Sequence, residues 1–287
     1  MSAKDPAAHL SEAELRSMTA DLDAMHHDLA MPALADSLAE WTEDIHAQGA
    51  ADGEPGQRIQ FDRRRFLTRA ASTAGGIAAV GLLAACTSSS SSSSSAPASA
   101  SASATGSAAA VKAGGEGQAL SGDLQVVAMA ASLENTAIAT YMAGIKAATA
   151  GKLGTVPPAV VTFAQTAMAQ HQDHQKAWNA VLTSAGKQPV TAVDPVIQPT
   201  VSAALGKVKN VTGLAQLALL LEDTAGETYQ NGLSVIKSSA GIKTAASIQP
   251  VEFQHAAILN FVLGKYPVPN AFTGVSLARP PSDYKVS

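Results

Sequence analysis

Between residues 120 and 265, apolar side chains recur at every third or fourth position, and this pattern predicts four long amphipathic helices. Ser, Asp and Pro mark the predicted starts, and Gly marks two of the ends. The predicted ranges are 121–151, 157–186, 212–238 and 241–263. Pro250 lies inside the last range and predicts a kink or a restart of that helix.

The links between these helices predict how the helices pair. The first and second helices, and the third and fourth, are joined by short links, which favour antiparallel hairpins. A longer link, residues 187–211, holds Pro189, Pro195 and Pro199 and joins the two hairpins. Only 4% of the residues are aromatic, and alanine is abundant, which favours helices over a β-sandwich. The sequence therefore predicts an all-α fold, a four-helix bundle with one long crossover.

Residues 1–61 carry a second helical pattern, which makes them a predicted N-terminal helical extension. Apolar residues follow helical spacing on both sides of Pro32, which predicts a small helical hairpin interrupted at the proline. His26 and His27 could form a ligand pair, but a solvated pair is the favoured interpretation. A start codon further downstream, for example at Met31, is an alternative that would shorten this extension.

Residues 62–86 have the order of an export signal. Asp62 and three arginines precede an uncharged Gly- and Ala-rich run over 70–85. Arg63 and Arg64 followed by Phe66 and Leu67 resemble a bacterial twin-arginine (Tat) signal. A membrane span that stays attached is the alternative, but the run is shorter than the roughly 20 residues that a span needs.

Cys86 is the only cysteine, and it follows Leu83-Ala84-Ala85. This word resembles a lipobox, which would make Cys86 the lipid-modified first residue of the mature protein. A single cysteine also excludes an intramolecular disulfide. Residues 87–119, with a serine run over 88–95, predict a disordered tether, and residues 266–287 form a C-terminal tail.

The net charge of −4 comes without any cluster of Lys and Arg, so no nucleic-acid partner is expected. The expected partners are the Tat export machinery and a membrane reached through the lipid anchor, and the sequence leaves a homo-oligomer open. The expected location is the outer face of the cytoplasmic membrane, in the cell envelope. If the signal is cleaved before Cys86, residues 1–61 are absent from the mature protein.

Two glutamates interrupt the apolar faces of the predicted helices. Glu134 lies in the word LENTAIATY and Glu222 in LEDTAGETY, and each is followed seven residues later by a tyrosine, Tyr141 or Tyr229. The second helix of each hairpin adds a pair at i and i+3, which share a helix face. These pairs are His171 with His174, and Glu252 with His255.

Six ionisable side chains are therefore predicted to point at one bundle axis: Glu134, His171, His174, Glu222, Glu252 and His255. Burying them unpaired would cost several kcal/mol each. A metal ion with carboxylate and imidazole ligands would remove this cost. Mutual Glu to His hydrogen bonds would remove it without a metal, and both solutions remain open at this stage.

A glutamate on each of two helices, with Glu-x-x-His on the other two, is the pattern of carboxylate-bridged dimetal bundles. Residues 120–265 resemble the ferritin-like superfamily, most closely the ferritin-like domain family of Tat-exported bacterial proteins and desiccation-related proteins. The resemblance implies iron or manganese, one or two ions, with Glu134 and Glu222 as terminal carboxylates and Glu252 as a bridge. It implies imidazole ligation by His174 and His255.

His171 departs from that family pattern, because an imidazole nitrogen has one lone pair and cannot bridge two ions as a carboxylate does. A mononuclear site, an unequal two-metal site and a site that has lost its metal are all compatible with this departure. Tyr141 and Tyr229 are either hydrogen-bond partners of the glutamates or ordinary core tyrosines. Glu227 could supply a further oxygen if its helix is slightly rotated.

Three functions follow from these patterns. The first is a redox protein of the cell envelope that acts on dioxygen, peroxide or ferrous iron through its metal. The second is a non-enzymatic envelope protein for stress protection or protein binding, with a degenerate metal site. The third is a lipoprotein that buffers metal without turnover. The sequence does not decide between an enzyme and the other two.

Overall fold

The computed structural model describes residues 11–51 and 120–283, which belong to one compact unit. The described residues form helices and connecting turns and contain no strand. The helices are α1 (Glu12–Met25), α2 (Met31–Ala51), α3 (Asp123–Thr149), α4 (Pro158–Ser184), α5 (Gln198–Leu205), α6 (Val211–Val235) and α7 (Ser239–Val262). The predicted signal and tether, with Arg63, Arg64, Phe66, Leu67 and Cys86, lie outside the described residues. Within 11–51 and 120–283, no helix is both long and apolar enough to cross a membrane.

Helices α3, α4, α6 and α7 form the predicted four-helix bundle. Helix α3 pairs with α4 and α6 with α7, while the two hairpins meet through contacts of α3 with α6 and of α4 with α7. The prediction of an all-α bundle with one long crossover is therefore confirmed. Helix α7 continues through Pro250 without interruption, which excludes the restart and leaves the kink as the remaining prediction. Packing of α7 against four other helices, α1, α2, α4 and α6, outweighs the loss of one backbone hydrogen bond.

The crossover between the hairpins is tied to the bundle by two asparagines. Asn135 donates to the carbonyl oxygens of Val190 and Ala192, each at 3.0 Å. Asn179 pairs with both backbone groups of Val190, donating over 3.0 Å and accepting over 2.7 Å. These side chains satisfy backbone groups that would otherwise lack partners in a loop, and they fix the start of the crossover on the first hairpin, formed by α3 and α4.

The N-terminal residues form one helical run rather than the predicted hairpin. Between α1 and α2 lies a single π-helical turn, His26–Ala30, in which the Met31 N–H bonds the His26 carbonyl. Pro32 cannot donate to the carbonyl four residues earlier, and the wider π turn accommodates this without reversing the chain. The extra residue also keeps Leu22 and Leu34, one on each side of the turn, on the buried face.

This N-terminal run lies across α4 and α7, the two helices that carry the paired ligand-type residues. At one end Leu15 and Leu22 share an apolar cluster with Phe163. At the other end Trp41 packs edge-on against Trp178, with ring centroids 6.3 Å apart. The run therefore buries its apolar face against both ends of the bundle and forms a fifth packed helix.

The described part of the C-terminal tail folds back onto the bundle and ends in a short 3-10 turn, Pro281–Asp283. Gln125 donates to the Pro281 carbonyl over 2.8 Å. The Arg279 N–H donates to the Thr228 hydroxyl over 2.9 Å. The tail is thus anchored on α3 and α6, away from the predicted ligands.

Candidate metal centre

The bundle brings the six predicted ligand-type side chains together at its centre, and none of them is more than 2% exposed. One comes from α3, two from α4, one from α6 and two from α7: Glu134, His171, His174, Glu222, Glu252 and His255. Each of these polar residues lies three or four positions from apolar residues that face the core, and such positions share one side of a helix. Burial of the apolar side chains therefore turns the polar groups inward as well. Helix propensity alone would not require them there.

Their ligand atoms form two overlapping groups, in each of which all atoms lie within 4.8 Å of one another. One group is Glu134, His171, His174 and Glu252, and the other is His171, Glu222, Glu252 and His255. Each group offers two carboxylates and two imidazoles, a donor set suited to iron, manganese and zinc. His171 and Glu252 belong to both groups.

A tyrosine holds each of the glutamates on α3 and α6. The Tyr229 hydroxyl donates to Glu134 Oε1, and the Tyr141 hydroxyl donates to Glu222 Oε1. Trp178 Nε1–H donates to the Tyr229 oxygen over 2.7 Å, which extends the first of these chains. Burial, together with the nearby carboxylates, raises the pKa of both tyrosines well above the ordinary value. Both hydroxyls therefore stay protonated and fix one oxygen of each carboxylate.

His171 lies between the same two glutamates. Its Nδ1 is 2.7 Å from Glu134 Oε2, and its Nε2 is 3.3 Å from Glu222 Oε1. Burial alone lowers the pKa of His171, but the carboxylates of Glu252 and Glu222 outweigh burial and raise it well above the ordinary value. Without a metal, His171 is therefore an imidazolium that bridges the two acids.

Glu252 and His174 are arranged differently from the other members. Glu252 Oε1 lies 2.9 Å from His174 Nδ1. Neither atom nor the second Glu252 oxygen has a partner in hydrogen-bonding geometry. The two groups are close enough to form an ion pair, but their hydrogen-bonding capacity is unused, which is costly in a buried site and would be relieved if both bound a cation. The residues present therefore fit a metal ion.

Comparison with known families supports this assignment of fold. The model of the ferritin-like domain family matches residues 122–265, half of the chain. The chain belongs to this family. Comparisons with curated proteins and with solved structures found no match.

His255, the third histidine of the ferritin-like site, is oriented by a residue outside the cluster. His255 Nδ1 lies 3.1 Å from Glu222 Oε2, and His255 Nε2 lies 2.8 Å from the amide oxygen of Gln170. Gln170 is buried and was not singled out from the sequence. Its only sequence signal is its position four residues before His174, which places both on one face of α4.

Opposite charges inside the ferritin-like bundle shift the remaining pKa values. Burial raises the pKa of Glu134, but His171 and His174 lower it more strongly, to about 2. Burial lowers the pKa of His174, but the carboxylates of Glu134 and Glu252 raise it to about 9. The neighbouring carboxylates keep the imidazoles protonated. A metal ion that binds the imidazole nitrogens must therefore displace these protons.

Two interpretations of the sequence are corrected by the geometry. Glu227 points away from the ferritin-like site, because its carboxylate accepts from the Leu277 N–H over 2.6 Å. His26 is not part of a solvated pair, since it is 1% exposed and both of its ring nitrogens lack hydrogen-bond partners. His27 is the exposed member of that pair. Helical phase, which is shifted by the π turn, decides which of the two faces inward.

Proposed function

We propose that this ferritin-like protein is exported and lipid-anchored, and binds iron or manganese through Glu134, His171, His174, Glu222, Glu252 and His255. The observation that carries the proposal is the pair Glu252 and His174, whose facing atoms lie 2.9 Å apart without a hydrogen bond. A metal-free polar core would be expected to satisfy these atoms, as it does those of Glu134 and His171.

Bound iron or manganese would supply redox chemistry towards dioxygen, peroxide or ferrous iron. The chain's own contribution is to fix the ligand oxygens through Tyr141 and Tyr229 and to exclude water. A cavity of about 50 Å³ reaches Tyr141 from the end of the bundle where α4 begins, and it is lined mainly by apolar side chains. A small apolar oxidant such as dioxygen fits that lining better than a charged substrate does.

Glu252→Gln in the full chain tests the metal proposal. The amide keeps the size of the side chain but removes a charge shared by both ligand groups. Affinity for Mn²⁺ is expected to fall by about 100-fold. This is the upper end of the range found when a residue that supports a metal ligand is lost, and Glu252 is itself a proposed ligand. Elemental analysis and Mn²⁺ titration followed by electron paramagnetic resonance measure the change.

The matched control is Glu227→Gln, which makes the same chemical change on α6 outside the cluster and should leave Mn²⁺ affinity unchanged. Parent protein that binds neither Mn²⁺ nor Fe²⁺ would contradict the proposal. Equal affinities of the Glu252→Gln variant and the parent would contradict the assigned ligand set.

A non-enzymatic envelope protein with a degenerate site is the second candidate, because His171 occupies the position of a bridging carboxylate and already joins Glu134 to Glu222. Metal-free protein that is isolated from its own compartment and takes up no metal supports this candidate. Stoichiometric metal without consumption of dioxygen or peroxide instead indicates metal buffering. Both outcomes are distinct from metal-dependent turnover.

The export proposal rests on residues 62–86 and is tested in cells. Replacing Arg63 and Arg64 together by lysine is expected to retain the protein in the cytoplasm, since paired arginines carry the resemblance to a Tat signal. Cys86→Ala should abolish labelling by a radioactive fatty acid. Export or labelling that persists in the corresponding variant would overturn that part of the proposal.

A further inference from the structure

The N-terminal run, residues 12–51, covers one side of the candidate metal centre. It comprises α1, the π turn and α2, and it packs mainly on α4 and α7, the helices that bear His174 and His255. His26 of the π turn is 1% exposed, and its ring centroid lies 5.4 Å from that of His174. Neither ring nitrogen of His26 has a hydrogen-bond partner, so this imidazole fills space against the centre without being hydrogen-bonded to it.

Helix α7 carries features that fit this run. Gly241 gives the Trp41 ring room, since a Cβ added at Gly241 would lie 2.7 Å from that ring. One turn further along α7, the Thr244 hydroxyl lies 2.9 Å from the buried hydroxyl of Ser37. Gly241 and Thr244 both follow Cys86 in the sequence, so a chain that is cut before Cys86 keeps this surface.

The centre does not depend on the run for its ligands. All six candidate ligands and both tyrosines that hold the glutamates lie within residues 120–265. The run instead contributes neighbours: His26 packs on His174, and Asp23 lies 3.5 Å from Gln170. Loss of the run would therefore leave the ligand set complete and would remove what lies over His174.

A single cut can separate the run from the bundle. The chain connects the two only through residues 52–119, which include the predicted cleavage position before Cys86. A cut there turns an intramolecular contact into one between separate chains, and the contact loses the high effective concentration that the connection provides. Polar groups share the interface with apolar ones, as at Ser37 and Thr244, which is typical of interfaces that separate.

We propose that the N-terminal run is a removable cover of the metal centre, which shields His174 in the precursor and leaves with the signal when the chain is cut before Cys86. The departing His26 ring leaves a space against His174. This space lies beside Asp173, whose side chain is already 25% exposed, so it connects the centre with solvent. Solutes therefore reach the centre more readily in the exported protein than in the precursor. The inference rests on the export and the metal binding proposed above.

The test is a full chain in which the cover is locked, cut and released. Ser37→Cys and Thr244→Cys introduce a disulfide between α2 and α7, because the native hydroxyls are 2.9 Å apart. Cys86→Ser removes the native thiol, and a protease recognition sequence is inserted between residues 52 and 61. Co²⁺ is the probe, since its visible absorption reports nitrogen and oxygen ligands, and added EDTA measures how fast Co²⁺ is lost.

Cutting the oxidised protein should leave the loss of Co²⁺ as slow as in the uncut chain, because the disulfide holds the cover in place. Reduction of the cut protein with a phosphine should release the run, which size-exclusion chromatography detects. The loss of Co²⁺ should then become at least about 10-fold faster, the gain expected if the cover is open less than about a tenth of the time. Reduced but uncut protein is the control and should lose Co²⁺ slowly.

Three results would overturn the inference. The first is a released run with an unchanged rate of Co²⁺ loss, which would mean that the run does not shield the centre. The second is a run that stays bound after cutting and reduction. The third is a bundle that unfolds when the run leaves, as measured by circular dichroism, because the run would then be part of the fold and not a cover.

Two single substitutions in the otherwise native full chain give a matched comparison. His26→Ala opens the space against His174 and should speed the loss of Co²⁺ to EDTA. His27→Ala changes the exposed neighbour on the same turn and should leave the rate unchanged. Equal rates in the two variants would show that His26 does not close the centre, against the inference.

Failure of the metal function and failure of the cover are distinguishable. If the parent chain binds no Co²⁺, Mn²⁺ or Fe²⁺, the metal function fails, while acrylamide quenching of metal-free protein still tests the cover. Trp41 and Trp178 are the only tryptophans and pack against each other, so Trp178 alone reports on the bundle after release of the run. Its quenching should increase on release, and unchanged quenching would count against the cover.

Processing in cells is tested separately. Mass spectrometry of the exported protein should find no peptide from residues 12–51, because the run leaves with the signal. If these peptides accompany the exported protein and the parent chain still binds metal, the cover fails and the metal function stands.

Discussion

Glutamate in place of His171 is expected to raise the metal content of the full chain above that of the parent, to about two ions. The change restores Glu-x-x-His on α4, so that each hairpin offers a glutamate and a Glu-x-x-His pair, the composition of two-metal bundles. Unlike an imidazole nitrogen, the new carboxylate can bridge two ions. Elemental analysis after loading with Mn²⁺ measures the ratio.

The charges explain why the variant should take up a second ion more readily than the native centre. With neutral imidazoles, the three carboxylates carry a charge of −3, which one divalent ion leaves at −1 and two ions leave at +1. The fourth carboxylate of His171→Glu makes this −4, which two divalent ions neutralise. In the variant without metal, two imidazoles cannot balance four buried acids, so the metal-free form should melt at a lower temperature than the parent.

Gln172→Glu is the matched control, because it adds the same charge on α4 at a half-buried position outside the cluster. It should alter neither metal content nor melting temperature by much. A His171→Glu variant that folds but holds no more metal than the parent would show that the cluster is not organised for a second ion.

The four-helix bundle could be predicted because its signals are local. Apolar spacing, caps and link lengths all predict the same helices. The sequence around Glu134 recurs around Glu222, which indicates two hairpins of similar construction. The helix ends moved by only a few residues, as for α4, which begins at Pro158 and ends at Ser184. The facing of the six polar residues followed from the same periodicity.

The N-terminal helix could not be predicted in the same way. Pro32 signals an interruption, and only the packing of Leu22 and Leu34 against the bundle decides that a π turn forms instead of a loop. The burial of His26 depends on that turn, so its solvent exposure was predicted wrongly. Gln170 meets His255 across 85 residues of sequence, and no local pattern contains such a contact.

Metal affinity is expected to rise steeply with pH, by more than about 100-fold between pH 6.5 and pH 9, because ligation must displace protons. His174 has a pKa of about 9 in the metal-free bundle, and His171 and His255 are also raised, through the buried carboxylates. Each displaced proton contributes about tenfold per pH unit below the pKa of its group. Calorimetric titration with Mn²⁺ in buffers of different ionisation enthalpy counts the protons released.

The stability of the metal-free protein should show the opposite trend over the same range. Because the pKa of His174 is about 9 in the folded state and about 6.5 in the unfolded chain, its contribution is complete below pH 6.5 and is lost as the pH rises through 9. Melting temperatures of metal-free protein should therefore fall from pH 6.5 to pH 9, while added Mn²⁺ restores them increasingly well. His46→Gln, a change at an exposed histidine on α2, should leave both profiles unchanged. A metal affinity that is constant over this range would mean that the imidazoles hold no protons against Glu134, Glu222 and Glu252, and the ion pairing assigned to the centre would then be wrong.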